Sequence, residues 1–264
     1  KKFFPYVSGV GFKTTFQVLA DEQVKFQEQK LYSPKVPIVE TYGVFAGLTI
    51  KQESFCYSSD GLQNFGKKEN WSSIRKGARE DIILTTITNK TGNVRTISPV
   101  IVINSEFPVN VIDNVISINN KKLFLSHTIS RVRQNLGEYK TLIEFASIKL
   151  NPGEIKSIAV IYDNGQPSQL THDLTNHSET GIKYLQEVRS NVINYWENNS
   201  PVPFGHISIP DKGIQDLIES SIRNIWQARE ILEGKISFQV GPTCYRGLWI
   251  VDGSFLLETA TMLD

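Results

Sequence analysis

Over roughly the first 170 residues, apolar and polar positions alternate in short runs broken by turn residues. Asp81–Thr88 (DIILTTIT) puts Ile83, Thr85 and Ile87 on one face and Leu84 and Thr86 on the other, the period of a strand. Lys90-Thr91-Gly92-Asn93 then reads as a turn. Pro99–Asn104 (PVIVIN) is a short β-branched run. Val115–Ile118 and Leu123–Ser126 are two more, separated by Asn119-Asn120-Lys121-Lys122. Asn tolerates left-handed backbone angles, so this pair predicts a hairpin. Lys140–Leu150 alternates again, Asn151-Pro152-Gly153-Glu154 turns the chain, and Ile155–Tyr162 is the expected return strand. Short strands with regular turns predict an antiparallel sandwich rather than βαβ units.

Near residue 175 the period becomes helical. Ile182, Leu185, Val188, Val192 and Trp196 recur at three or four, and Asn198–Pro203 breaks the run. A second helix is better marked. Asp211 follows Pro210 as a cap, and Ile214, Leu217, Ile218, Ser221, Ile222, Ile225 and Trp226 form one stripe, with an expected stop near Gly234. A third begins around Asp252–Ser254 and runs through Phe255, Leu256, Leu257, Ala260 and Leu263 without a stop signal. Two or three such helices cannot bury their stripes on one another, so we expect them to continue into a longer protein.

Composition narrows the function classes. The 264 residues are 40% hydrophobic, enough for one large domain or two modest ones. With 28 basic and 27 acidic residues there is no charge excess to draw nucleic acid or an anionic membrane. No apolar run approaches the roughly 20 residues of a membrane span. The N-terminal KKFFPYVSG lacks the long apolar stretch of a signal peptide, and it also fits a mature end left after removal of one. Cys56 and Cys244 exclude a disulfide framework and leave room for one long-range bridge at most. The Asn-x-Ser/Thr triplets at Asn70, Asn89, Asn176 and Asn198 fit chance in an Asn-rich chain.

Most motif matches fail on context. Gly61–Lys67 fits GxxxxGK, but Lys68 stands where a phosphate loop needs Ser or Thr. Ser73–Lys76 and Lys90–Gly92 fit SxxK and KTG, yet lie too close together for a penicillin-recognising enzyme. Among His127, His172, His177 and His206 no pair has a ligand spacing, so no metal or cofactor is expected. No GxSxG elbow is present, and Cys244 has no evident base.

The stretch 241–264 is different. Tyr245, Trp249 and Asp252 sit in the entry to the third helix. A helix start favours an acid there, so Asp252 as a cap and Tyr245 and Trp249 as packing is one reading. A sugar subsite is the other. An indole offers a flat face to the C–H side of a pyranose, and a carboxylate accepts two hydroxyl hydrogen bonds worth about 1.5–3 kcal/mol each.

YRGLWIVDGSFLLETATML resembles the first helical hairpin of the six-hairpin glycosidases, among them the glucoamylase-like and maltose-phosphorylase-like families. These carry an aromatic, then Trp, two residues and Asp, running into an apolar helix. The resemblance implies a substrate-binding role for Trp249, Asp252 and Tyr245. It implies a mainly β fold: an antiparallel β-sandwich (residues 1–175), a linker helix (176–205) and the first helices of an incomplete (α/α)6 barrel (206–264). The implied activity is glycoside hydrolysis of glucoside-type oligo- or polysaccharides, by inversion between two carboxylates roughly 6.5–9.5 Å apart. Those carboxylates belong to later barrel helices, so no catalytic residue is assigned here, and this chain alone is expected to be inactive. Glu230, Glu233 and Glu258 read as solvated helix-surface acids. A disaccharide phosphorylase of the same build, and a non-catalytic carbohydrate-binding or structural sandwich, are the alternatives. The implied partners are a carbohydrate and the rest of the barrel, and the implied location is periplasmic or secreted. One position departs from the glucoamylase-like pattern: Val251 stands where Arg precedes the Asp.

Overall fold

The computed structural model describes residues 12–17, 24–58, 79–119, 121–134, 140–163, 178–200, 202–205, 207–232, 235–240 and 249–263. The strands are β1 (Phe12–Gln17), β2 (Lys25–Leu31), β3 (Val39–Phe45), β4 (Leu48–Ser58), β5 (Arg79–Asn89), β6 (Arg95–Ile97), β7 (Val100–Ser105), β8 (Val109–Ile112), β9 (Val115–Ile118), β10 (Lys121–Leu125), β11 (Ile129–Arg133), β12 (Lys140–Phe145), β13 (Ile148–Leu150), β14 (Ile155–Asp163), β15 (Arg229–Leu232) and β16 (Lys235–Phe238). The helices are α1 (Ser178–Asn194), which ends in a turn of π-helix at Tyr195–Asn199, α2 (Lys212–Gln227) and α3 (Ile250–Leu263). The fold is a mainly antiparallel β-sandwich followed by helices.

Two compact units divide the chain. The first draws on Lys1–Lys30, Ile38–Ser58 and Ala78–Arg189, the second on Leu31–Pro37, Ser59–Gly77 and Ser190–Asp264.

In the first unit an eight-stranded sheet has the order β2-β3-β4-β5-β14-β10-β9-β8, and a four-stranded sheet the order β1-β7-β12-β11. Antiparallel registers join β4 to β5, β5 to β14 and β14 to β10 in the large sheet, and β7 to both β1 and β12 in the smaller one. The chain crosses between layers repeatedly. It leaves the large sheet after β5, returns for β8–β10, leaves again for β11–β13 and comes back as β14. Period-two alternation explains why the layers stick. Ile101, Ile103, Ile143 and Phe145 from the small sheet interlock with Ile116, Ile118, Leu123, Leu125 and Val160 from the large one. The Tyr162 hydroxyl and Thr14 Oγ hydrogen-bond across the same gap. A two-stranded sheet, β6 with β13, extends this cover: Ile97, Ile148 and Leu150 pack on Leu48, Ile50, Ile87 and Ile158.

Several expectations hold and several do not. β5 carries Ile83, Thr85 and Ile87 on the sandwich side, as its alternation requires. The β9–β10 hairpin forms, with Asn119 at a φ of 43°. Gly153 takes a φ of 76° in the turn after β13. The run 140–150, expected as one strand, breaks at Ala146-Ser147 because its halves serve different sheets. Its expected return partner, β14, pairs instead with β5 and β10. α2 stops at Gln227 rather than near Gly234; β15 and β16 follow as a hairpin, and their β-branched Ile231 and Ile236 are directly paired. Cys56 is exposed, while Cys244 lies outside the described residues.

Asn89 closes the end of β5. It has no exposed surface. Its amide Nδ2 lies 2.8 Å from Asn93 O, 3.1 Å from Leu150 O and 3.1 Å from Asn151 O, and its Oδ1 accepts from Thr91 N at 2.9 Å and Thr91 Oγ1 at 2.7 Å. The triplet beginning at Asn89 is therefore a structural knot, with no free amide to carry a glycan. Asn70 and Asn176 lie outside the described residues, and Asn198 is exposed at the end of α1.

The β3–β4 hairpin turns through Ala46 and Gly47, at φ 45° and 81°. Both central residues are left-handed, the requirement of a type I′ turn. Gly47 suits it, and a Cβ there would also collide with Thr91 Cγ2. Alanine does not suit it, since the left-handed region costs an L-residue about 1–2 kcal/mol. We expect Ala46→Asn to stabilise the first unit by about 0.5–1 kcal/mol, read as a higher urea midpoint.

Candidate functional site

α3 and the residue before it hold the two described members of the sequence-derived site. Trp249 directly precedes the helix and keeps 49% of its surface exposed. Its carbonyl accepts from Gly253 N at 2.6 Å, closing the first helical turn. Asp252 is exposed in that turn. Trp249 and Asp252 are thus three residues apart at the helix start. The acid also sits in the first turn, at the positive end of the helix dipole. Tyr245 lies outside the described residues. So do Glu233, His172, His177, His206 and the motif matches at 61–67 and 73–76. Lys90–Gly92 sits in the loop after β5, and Glu258 is exposed on α3. His127 is committed to structure: Nε2 is 3.0 Å from Ala146 O and the ring tilts against Phe145.

The rest of α3 is unusual for a surface helix. Gly253 is buried and Leu256 and Ala260 half-buried, spaced at three and four, so this is its covered side. Two apolar stripes lie away from it. Val251, Phe255 and Met262 are 67%, 66% and 75% exposed, and Ile250 and Leu257 are 90% and 40% exposed. In α2 the same is true of Ile214 and Leu217. A helix apolar on several sides is ordinarily surrounded by other structure.

α2 itself is firmly made. Asp211 Oδ1 accepts from Ile214 N at 2.9 Å, the cap the sequence predicts. Residues 31–37, between β2 and β3, reach this second unit and hold α2 from the side. Arg223 Nη1 donates to Pro34 O at 2.5 Å, Lys35 pairs with Glu219 at 3.5 Å, and Lys35 Nζ stands 5.4 Å from the Phe204 ring centre. Arg223 is buried, and burial lowers its pKa.

A second group of charged residues was not anticipated. It lies on the face of the large sheet opposite the sandwich core. Glu40 of β3 stands directly opposite Glu53 of β4, and both are buried. Lys51 Nζ bridges them, 2.6 Å from Glu40 Oε1 and 2.9 Å from Glu53 Oε1. Arg189 of α1 adds Nη2 at 2.6 Å and Nε at 2.7 Å from Glu53 Oε1. Tyr42 donates to Glu40 Oε2 at 3.0 Å. Burial pushes the Glu40 carboxyl up, but hydrogen bonds from Lys51 and Tyr42 and the Lys51 charge outweigh it, so its pKa falls below the ordinary 4.5. Burial pushes Lys51 down, yet its two carboxylate partners hold it above 10.5. The alternation Glu40-x-Tyr42 and Lys51-x-Glu53 is the sequence signal, legible only once β3 and β4 are known as strands.

No protein-family model matches the chain, and no curated protein does. Among solved structures, one described as "Putative kojibiose phosphorylase from human microbiome" is similar, with a TM-score of 0.47 and 12% identity over 83% of this chain. The chain spans 31% of that protein's length. A likeness this distant establishes neither family nor activity. Among the described residues no helix is long and apolar enough to cross a membrane.

Proposed function

We propose that the chain is the sandwich, linker helix and first barrel helices of a carbohydrate-active enzyme of the six-hairpin type, with Trp249, Asp252 and Tyr245 forming one wall of a sugar subsite. The observation that carries this reading is the start of α3: an accessible indole beside an accessible carboxylate, on a helix with two bare apolar stripes. Further helices packed on those stripes would enclose the first turn of α3 and dehydrate it. Hydrogen bonds from sugar hydroxyls to the Asp252 carboxylate would then strengthen, because competing water is removed.

The division of labour follows from which residues are present. Trp249 covers an apolar sugar face, and Asp252 fixes orientation by accepting from hydroxyls. Proton transfer belongs to carboxylates on other barrel helices, so this wall binds and positions. Hydrolysis and phosphorolysis fit it equally, since they differ in whether water or phosphate attacks at the anomeric carbon. We expect the protein with its complete barrel to turn over glucose-containing disaccharides. Turnover in phosphate-free buffer marks a hydrolase, and turnover that rises from zero with added phosphate marks a phosphorylase. No cleavage of any such glycoside under either condition would remove the enzyme reading.

A further inference from the structure

We propose that Glu40, Lys51, Glu53 and Arg189 form an acid-sensitive latch, which seats the middle of α1 on the large sheet while Glu40 is ionised and releases it when Glu40 takes up a proton. This proposal is independent of the sugar subsite.

Three members, Glu40, Lys51 and Glu53, stand on β3 and β4, and the fourth, Arg189, arrives with α1. Seated, two carboxylates meet two cations. Unseated, the same two carboxylates share the Lys51 ammonium alone. They face each other across an antiparallel pair, where like charges repel, and Leu84 of β5, itself buried, stands beside Glu53. A carboxylate pair short of positive charge in such surroundings binds a proton more readily. Seating α1 therefore expels that proton, and by linkage acid must unseat it.

The helix and the sheet meet at one atom: Glu53 Oε1 accepts from Arg189 Nε, Arg189 Nη2 and Lys51 Nζ. Arg189 Nη2 is also 3.9 Å from Glu40 Oε1, which couples it to the second acid. Leu185 and Val188 share the buried side of α1 with Arg189 and supply its apolar contact. Of the other charged or titratable groups on this face, Tyr42 and Lys30 keep their protons in acid, while Glu28 of β2, bonded to Lys30 at 3.0 Å, and Glu80, buried on the same face of β5, are further carboxylates. Tyr42 on β3 is raised by burial and by its bond to Glu40. Lys30 on β2, beside the Tyr42 ring, is raised by its bond to Glu28. Lys51 and Tyr42, on the sheet itself, already hold Glu40 below its ordinary 4.5, so Glu40 is ionised and the latch complete above that pH, and the latch is lost as pH falls through the lower folded value.

Hydrogen exchange read by mass spectrometry, corrected for intrinsic rates, tests this between pH 3 and 7. Peptides from 181–194 should lose protection below about pH 4.5, by up to about tenfold per pH unit for one proton. Peptides from β7 and β12 should keep theirs over the same range. Arg189→Met should expose 181–194 already at pH 7 and flatten its acid response. Glu40→Gln, which retains the Tyr42 bond, should flatten it without exposing the core. Simultaneous loss of α1 and core protection at one pH would overturn the proposal. So would an unchanged acid response in Glu40→Gln.

Discussion

Asp252→Ala should abolish measurable sugar binding in the protein that carries the complete barrel. Two hydroxyl hydrogen bonds to a carboxylate are worth about 3–6 kcal/mol together, a loss of at least about a hundredfold in affinity. Titration calorimetry with a glucose-containing disaccharide reads this directly. The fold should survive, because Asp252 is exposed and makes its local contribution through the helix dipole alone, about 0.3–1 kcal/mol. Asp252→Asn separates charge from shape: it keeps one acceptor and should retain weak binding between the two. Unchanged affinity in both variants would show that Asp252 is only a residue of the helix start.

The second large effect concerns stability. Asn89→Ala should destabilise the first unit by about 3 kcal/mol or more, seen as a lower urea midpoint at unchanged slope. The side chain is fully buried, and its removal takes a donor from three backbone carbonyls and the acceptor from Thr91 N, although Asn93 O keeps Thr91 Oγ1 and Asn151 O keeps Glu154 N. Asn89→Asp should be at least as harmful at neutral pH, since a carboxylate would face carbonyl oxygens where an amide now donates. A cost below about 1 kcal/mol would mean that water replaces these bonds freely.

What the chain discloses before folding depends on how local each signal is. The β5, β7, β9 and β10 strands are legible because alternation and Asn-rich turns lie within a few residues of one another. The cap at Asp211 is legible for the same reason. β2 carries charged or polar residues on both faces, as in KFQEQKL, so no apolar period marks it. The β3–β4 hairpin turns on Ala46-Gly47 instead of Asn-Gly, which removes the usual turn signal. Pairing is less local still. The partner of β14 is decided by which layer β13 joins, and the Lys140–Leu150 run does not contain that choice. At the candidate site, Trp249 and Asp252 are three residues apart, so their placement at a helix start is legible in the sequence. The Glu40–Arg189 cluster joins residues about 150 positions apart in the chain, and only the sheet register and the seating of α1 assemble it.

The central claim is that the start of α3 is a wall of a sugar subsite. A crystal structure of the barrel-containing protein with a glucose-containing disaccharide bound tests it most directly. The predicted result has a pyranose stacked on the Trp249 indole, with two of its hydroxyls donating to the Asp252 carboxylate. A disaccharide bound away from both residues, with Trp249 and Asp252 covered by protein, would contradict it.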